Sequence, residues 1–277
     1  MISLKRNSKG EFVKATGLRK TVRSMYVPDQ KEIFKISRSK FTDFLSCRRC
    51  FYLDRVGGIV YPSIPRWTLN ETTDILLKKE FDECRINGVP HRIFGEYGLD
   101  GVLPYEHPDI DDWRDSLHHG LEYRVAGTNI ILHGGVDDVW QDVNSGELII
   151  VDYKSQSNSR PITTEGYLSY VYHQSYKIQL DFYAYLLIGM GHEVSRTCYF
   201  YVCNAVRSAK GFYGVMGFEE TLVPYDWDVG WIEPRIMEMI AVLNSKDVPM
   251  PNESCENCAY ARERALAEGM TLETDNV

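Results

Sequence analysis

Two C-x-x-C pairs, Cys47/Cys50 and Cys255/Cys258, stand about 200 residues apart in a chain of 277 residues. The first twenty residues carry charge but no apolar stretch, so we expect no secretory signal and a cytoplasmic location. In such a compartment, paired cysteines at this spacing are typical of metal ligands rather than of disulfides. Four thiolates suit a [4Fe–4S] cluster or a tetrahedral Zn²⁺ ion equally well. If they share one site, the fold must close a loop over most of the chain.

Charge is distributed unevenly along the sequence. Residues 1–55 hold fourteen Lys and Arg against five acids, a local balance of +9, whereas the net charge of the whole chain is −8. A basic arm on an acidic body is suited to binding phosphate at one face. We interpret residues 1–36 as a basic, partly flexible N-terminal segment, for which a solvated leader without a ligand is the alternative.

The order of the predicted elements indicates one α/β domain around a small mixed sheet. Helices are predicted in the ranges 36–56, 68–88, 167–192 and 227–245, and strands in the ranges 128–143, 147–155, 195–206 and 217–226. The region at about 88–120 is rich in Gly, Pro and His and is interpreted as an insertion with a short helix. The domain is therefore placed at 37–260, followed by a C-terminal tail at 261–277.

A hairpin is predicted where two strand-like runs flank Asn144-Ser145-Gly146. Side chains alternate along a strand, so Asp152 and Lys154 share one face of its second strand. Asp137 and Asp138 are neighbours on the first strand, so one of them must point toward that same face. The preceding Gly134-Gly135 pair indicates a bulge or a close approach of two backbones.

Two carboxylates held close together repel each other unless a cation lies between them. Mg²⁺ and Mn²⁺ favour oxygen ligands and are the natural occupants. A lysine beside such a site can orient a water molecule and offset negative charge on a phosphate group. The hairpin therefore suits hydrolysis of a phosphodiester, and an ordinary Asp–Lys ion pair at a strand end is the alternative.

Three motifs in this order resemble the PD-(D/E)XK nuclease superfamily, and within it the RecB-type branch that includes the CRISPR-associated iron–sulfur exonucleases. They are G-x-x-D at Gly134–Asp137, D-x-K at Asp152–Lys154 and Q-x-x-x-Y at Gln179–Tyr183. The spacing of four in the last motif puts both side chains on one helix face. The resemblance implies an αβββαβ core and a metal-dependent DNA nuclease that acts on single strands or DNA ends.

The resemblance also implies a role for each residue of these motifs. Asp137, Asp152 and the backbone carbonyl of Tyr153 would hold the catalytic Mg²⁺ or Mn²⁺, and Lys154 would activate water. Gln179 and Tyr183 would support the site or contact DNA.

The branch often carries a metal-binding histidine on the helix before the hairpin, and this sequence has none there. We expect Glu80 to supply an oxygen ligand in its place, with Asp74 as the other candidate, and for either acid a solvated helix residue is the alternative. The missing histidine keeps one alternative function open, that of a catalytically silent DNA-binding or adaptor subunit with the nuclease fold.

In the iron–sulfur members, the cluster joins the N-terminal helix to the C-terminal tail. The resemblance therefore implies a structural [4Fe–4S] cluster on Cys47, Cys50, Cys255 and Cys258. The branch commonly has one early and three late cysteines, whereas this chain has two and two, so Zn²⁺ remains the alternative.

Four further residues are candidates for contact with DNA. Arg48 and Arg49 lie between two cysteine ligands, where their guanidinium groups could contact phosphate, and ordinary surface arginines are the alternative. Tyr176 and Lys177 lie in an aromatic-rich stretch that could stack on unpaired bases, although such a helix is more often core. The expected partner is DNA, together with proteins of a repair or CRISPR-type complex, and no membrane is expected.

Overall fold

The computed structural model describes residues 4–62 and 67–270. The chain forms two compact units. One comprises the described residues of 1–34, 39–65 and 233–277, and the other comprises those of 35–38 and 66–232. The division into a segment at 1–36, a domain at 37–260 and a tail at 261–277 stays a prediction. None of the helices in the described ranges is long and apolar enough to cross a membrane.

The described residues form a mixed α/β structure of nine α-helices and eight strands. The helices are α1 (Arg38–Ser46), α2 (Arg48–Arg55), α3 (Thr68–Asn87), α4 (Arg92–Glu96), α5 (Ile110–Arg114), α6 (Thr164–Ser169), α7 (Gln174–Gly189), α8 (Ile232–Leu243) and α9 (Glu256–Ala267). The strands are β1 (Phe34–Ser37), β2 (Val102–Pro104), β3 (Leu121–Arg124), β4 (Ile130–Gly134), β5 (Asp138–Asp142), β6 (Leu148–Gln156), β7 (Thr197–Ala205) and β8 (Phe218–Asp226).

The first unit is mainly helical. The ring of Phe44 lies 5.5 Å from that of Phe51 and 6.3 Å from that of Phe41, and all three side chains are buried. The hydroxyl of Tyr52 donates to the backbone oxygen of Ser245 (3.1 Å), which ties α2 to the segment after α8. Apolar packing thus joins α1 to α2, and this polar contact joins early and late parts of the sequence within the unit.

The second unit contains a five-stranded sheet in the order β2-β5-β6-β7-β8. Strands β6 and β7 pair in parallel, and the other neighbours pair antiparallel. A three-stranded sheet has the order β1-β4-β3. The predicted small mixed sheet is confirmed.

The predicted hairpin is confirmed, because β5 and β6 pair antiparallel with Asp138 opposite Val151. The run 128–143 is not one strand, however, and β4 and β5 belong to different sheets. A Cβ atom on Gly135 would lie 2.7 Å from the backbone nitrogen of Ser116, and one on Gly134 would lie 3.0 Å from the Tyr183 ring. The close approach predicted for the two glycines is therefore confirmed, and it accompanies the break between the strands.

The face of β6 opposite Asp152 packs against α3. Ile149, Val151 and Tyr153 belong to a buried cluster with Phe81, whose ring lies 5.9 Å from that of Tyr153. Burying a side chain of this size contributes about 1.5–3 kcal/mol. On α3, Leu77 and Phe81 are buried, whereas Leu69 and Leu76 are more than half exposed.

The long helix predicted at 167–192 is broken between α6 and α7. Tyr170 has an extended backbone (φ −67°, ψ 127°), and a 3₁₀ turn follows it. The side-chain amide of Gln174 donates to the backbone oxygens of Leu168 and Tyr170, each at 3.0 Å. These bonds satisfy carbonyl groups that the break leaves without helical partners.

A buried ion pair within the second unit joins Asp138 of β5 to Arg85 of α3. Asp138 is fully buried and pairs with the guanidinium of Arg85. Its carboxylate also accepts hydrogen bonds from the Tyr153 hydroxyl (3.0 Å) and the Val139 backbone N–H (2.9 Å). These partners direct Asp138 away from Asp152.

Replacing Arg85 by methionine is expected to lower the free energy of unfolding by about 3–5 kcal/mol, because it leaves the Asp138 carboxylate buried without its cation. Urea unfolding followed by circular dichroism measures the change. The matched variant Arg124→Met, at an exposed position of β3, should stay within about 0.5 kcal/mol of the wild type. Equal stability of the two variants would contradict the role given to the buried pair.

Candidate active site and four-cysteine site

Asp137 and Asp152 come together at the end of the β5–β6 hairpin. Oδ2 of Asp137 accepts a hydrogen bond from the backbone N–H of Tyr153 (2.8 Å). Asp152 is fully buried, and its carboxylate contacts the Lys154 ammonium and the Asp137 carboxylate. Burial raises the pKa of Asp152, and the neighbouring Asp137 carboxylate raises it further against the opposing effect of Lys154. The buried carboxylate of Asp152 therefore lies beside a second carboxylate, an arrangement that favours a bound cation.

Lys154 lies directly beside this pair. Its ammonium group forms an ion pair with Oδ2 of Asp152 and lies 4.7 Å from the centre of the Tyr176 ring. Burial acts to lower the pKa of Lys154, but the charges of Asp152 and Asp137 outweigh it and raise the pKa above its ordinary value. The side chain is thus held by a carboxylate on one side and an aromatic ring on another.

The oxygen atoms at this point fit a hard divalent cation. Strand β5 pairs with β6 only as far as Val151, so Tyr153 lies beyond the ladder on that side. The N–H and C=O of a strand residue point toward the same neighbouring strand. Because the N–H of Tyr153 donates to Asp137, the carbonyl oxygen of Tyr153 also points toward the side on which Asp137 lies. Two carboxylates and a carbonyl are the ligand types that Mg²⁺ and Mn²⁺ prefer.

Gln179 and Tyr183 are buried on α7, and Nε2 of Gln179 donates to the Tyr183 hydroxyl (3.2 Å). The shared helix face expected from their spacing is confirmed by this bond. Burial raises the pKa of Tyr183, and the charges of Asp137 and Asp152 add to that effect. The structure therefore places the Q-x-x-x-Y motif near the two carboxylates, while the roles of its residues stay predictions.

The two acids considered as a further ligand occupy different surroundings. Glu80 accepts hydrogen bonds from His91 (3.1 Å) and Arg92 (3.4 Å) and is about half exposed. Burial raises the pKa of Asp74, and the charge of Asp137 raises it further, although Lys78 opposes both. Six residues of helix separate the two acids by about 9 Å along the axis and by a third of a turn. Asp74 is therefore the acid on α3 whose pKa is raised by the charge of Asp137.

The candidates for DNA contact are placed as follows. Tyr176 lies against Lys154, and its ring stacks on His173 at 5.1 Å. Arg48, in the first unit, is exposed and forms an ion pair with Glu238. Arg49 and Lys177 are partly buried. Contact of these four residues with DNA stays a prediction.

Two residues near the carboxylates belong to none of the three sequence motifs, so the sequence did not predict their place at the site. The hydroxyl of Tyr167 is buried and has no hydrogen-bond partner within the described ranges, and burial together with the charge of Asp152 raises its pKa. The Cβ of Arg38 would lie 3.2 Å from a Cβ on Gly134, and its charge acts on Tyr183. Both residues come from segments that only the tertiary fold brings to the hairpin.

The four cysteines of the C-x-x-C pairs meet within the first unit, as the sequence predicted. Cys47 precedes α2 and Cys255 precedes α9, each at the N-cap position. Burial acts to raise the pKa of Cys47, but hydrogen bonds from the backbone N–H groups of Asn252 and Cys50 lower it to about 7. The donor set is therefore four sulfurs, and burial raises the pKa of Cys50 and of Cys258.

Comparison with known proteins bears on the fold and on the family. A family model of the PD-(D/E)XK nuclease superfamily matches residues 90–262, more than half of the chain. A crystal structure of a protein described as a "putative exonuclease" from Eubacterium rectale is similar over 92% of each chain, at 12% identity and a TM-score of 0.39. At that score the likeness adds nothing to the assignment, and no curated protein matches the sequence. Because the family model spans most of the second unit and the hairpin site, the chain belongs to the PD-(D/E)XK nuclease superfamily.

Proposed function

We propose that the protein is a divalent-metal-dependent DNA nuclease that hydrolyses phosphodiester bonds on single strands or at DNA ends. The observation that carries the proposal is the fully buried carboxylate of Asp152, which lies beside the Asp137 carboxylate and forms an ion pair with the Lys154 ammonium. Burying a carboxylate next to a second one costs stability, and titratable groups perturbed in this way concentrate at functional sites. Membership of a nuclease superfamily supports the same conclusion.

Asp137, Asp152 and the carbonyl oxygen of Tyr153 are the proposed ligands of Mg²⁺ or Mn²⁺, and Asp74, rather than Glu80, is the proposed further acid. The preference rests on the electrostatic coupling of Asp74 to Asp137. When bound, the ion supplies positive charge to the scissile phosphate and favours ionisation of a nearby water molecule.

Lys154 contributes through its ammonium group, which carries three hydrogen-bond donors. Asp152 and the face of Tyr176 hold this group at the carboxylate pair. From there Nζ can orient the attacking water and hydrogen-bond to an oxygen of the phosphate as negative charge develops on it. Gln179 and Tyr183 act as positioning residues, because both are buried near the carboxylates and their mutual hydrogen bond fixes the orientation of their polar groups.

The preference for single strands or ends comes from the resemblance to the RecB-type branch. Aromatic side chains next to the site support it. Tyr170 and Tyr172 are 51% and 75% exposed, and their rings lie 5.5 Å apart, close in sequence to Tyr176. Exposed aromatic rings can stack on unpaired bases, whereas bases within a duplex are already stacked. An enzyme of this kind would work in the cytoplasm, the location expected from the sequence.

A cleavage assay on matched substrates tests the proposal. Linear single-stranded, linear double-stranded and circular single-stranded DNA, and RNA of the linear sequence, are incubated with the protein and Mn²⁺ or Mg²⁺. We expect linear single strands to be degraded, circles to survive, and EDTA to stop the reaction. Binding to DNA without cleavage under either metal would instead support the silent adaptor. Cleavage of RNA alone would contradict the choice of DNA.

A further inference from the structure

The sulfur atoms of the four-cysteine site lie at the separations of atoms bound to one ion. Sγ of Cys50 is 3.4 Å from Sγ of Cys258 and 3.5 Å from that of Cys255. Sγ of Cys47 is 3.8 Å from that of Cys258. All four sulfurs lie within 4.8 Å of one another, and none of the four is in a disulfide.

These separations distinguish between the two groups that the sequence left open. Four thiolates around one Zn²⁺ at about 2.3 Å form a tetrahedron with edges of about 3.8 Å. In a [4Fe–4S] cluster each thiolate binds a different iron and points outward from its corner of the cube. Its sulfurs are therefore further apart than sulfurs that share one ion. In a [2Fe–2S] cluster the two pairs of thiolates are separated in the same way.

Local contacts support a compact thiolate site. Backbone N–H groups of Asn252 and Cys50 bond to Cys47, and the Tyr61 hydroxyl donates to Cys50. Donors of this kind orient metal ligands through contacts with their ligand atoms. Both pairs also stand at helix N-termini, where the helix dipole favours negative charge.

We propose that Cys47, Cys50, Cys255 and Cys258 bind a single tetrahedral Zn²⁺ ion in place of the [4Fe–4S] cluster that the family resemblance implied. The two-and-two arrangement of cysteines, which departs from the one-and-three pattern of the iron–sulfur members, is consistent with this assignment. A mononuclear iron would fit the same tetrahedron, but Zn²⁺ binds such sites more tightly than Fe²⁺. Four protein ligands leave no open position, so the ion is structural and joins α2 to α9 within the first unit.

Metal and sulfide analysis of the full-length protein tests the assignment. The protein is purified without oxygen from cells grown with both iron and zinc, and is washed with EDTA to clear the carboxylate site. We expect a colourless protein with one zinc per chain and no acid-labile sulfide. Four irons with four sulfides would overturn the single-ion geometry. One iron without sulfide, or no bound metal, would overturn the assignment of zinc.

Cysteine variants then locate the ion. Cys258→Ser should lose most of its zinc, whereas Cys203→Ser, at a buried cysteine of the second unit, should keep one zinc per chain. Because Cys258→Ser could fail to fold, the wild type is also titrated with a thiol-specific mercurial while zinc release is followed with a dye. One zinc released as four thiols react supports the site, and zinc that stays bound after those thiols are blocked overturns it. This result is independent of nuclease activity, so it stands apart from a failure of the proposed function.

Discussion

Replacing Lys154 by methionine is expected to lower the rate of DNA cleavage by about 10²–10³-fold, the usual effect of removing one preorganised donor from a reacting centre. Methionine keeps an unbranched side chain that can still lie against the Tyr176 ring, but it removes the ammonium paired with Asp152. The loss should appear in single-turnover cleavage with saturating Mn²⁺. Affinity for DNA, measured by fluorescence anisotropy in Ca²⁺, should change by no more than a few-fold.

Asp152→Asn is expected to lower cleavage by at least as much, because it removes a charge from the proposed metal ligands while keeping the shape of the side chain. A matched control is Lys79→Met, at an exposed lysine of α3, which should cleave at the wild-type rate. Equal cleavage by the wild type, Lys154→Met and Asp152→Asn would show that the activity does not arise at this hairpin.

The parts of the site that depend on local chain geometry could be predicted from the sequence. The turn at Asn144-Ser145-Gly146 and the alternation of side chains suffice to place Asp152 and Lys154 on one strand face. Observed burial of Ile149, Val151 and Tyr153 against α3 agrees with that alternation. A helical spacing of four likewise brought Gln179 and Tyr183 together. These features need only the geometry of a strand, a turn and a helix.

Features that depend on how distant segments pack could not be predicted in this way. The strand break after Gly134 accompanies a close approach of the Ser116 backbone to Gly135, and the sequence gives no sign of which segment passes there. The interruption at Tyr170 lies inside a pattern that is helical by periodicity alone. Sequence spacing likewise allows either a cluster or one ion on the cysteines, and the proposal of one ion rests on the separation of the sulfurs, which only the fold provides.

The choice between Asp74 and Glu80 is also one of packing, because both lie on α3 and only the placement of that helix over the sheet decides which one meets Asp137. Asp74→Asn is expected to raise the Mn²⁺ concentration for half-maximal cleavage by about 10–100-fold, the usual range for weakened metal sites. Glu80→Gln, six residues along the same helix, should leave it within about two-fold, because Glu80 bonds to His91 and Arg92. Titration of both variants with Mn²⁺ measures the difference, and unfolding in urea confirms that each is folded. A large shift in Glu80→Gln with none in Asp74→Asn would restore Glu80 as the ligand and would mean that α3 moves relative to the hairpin when the metal binds.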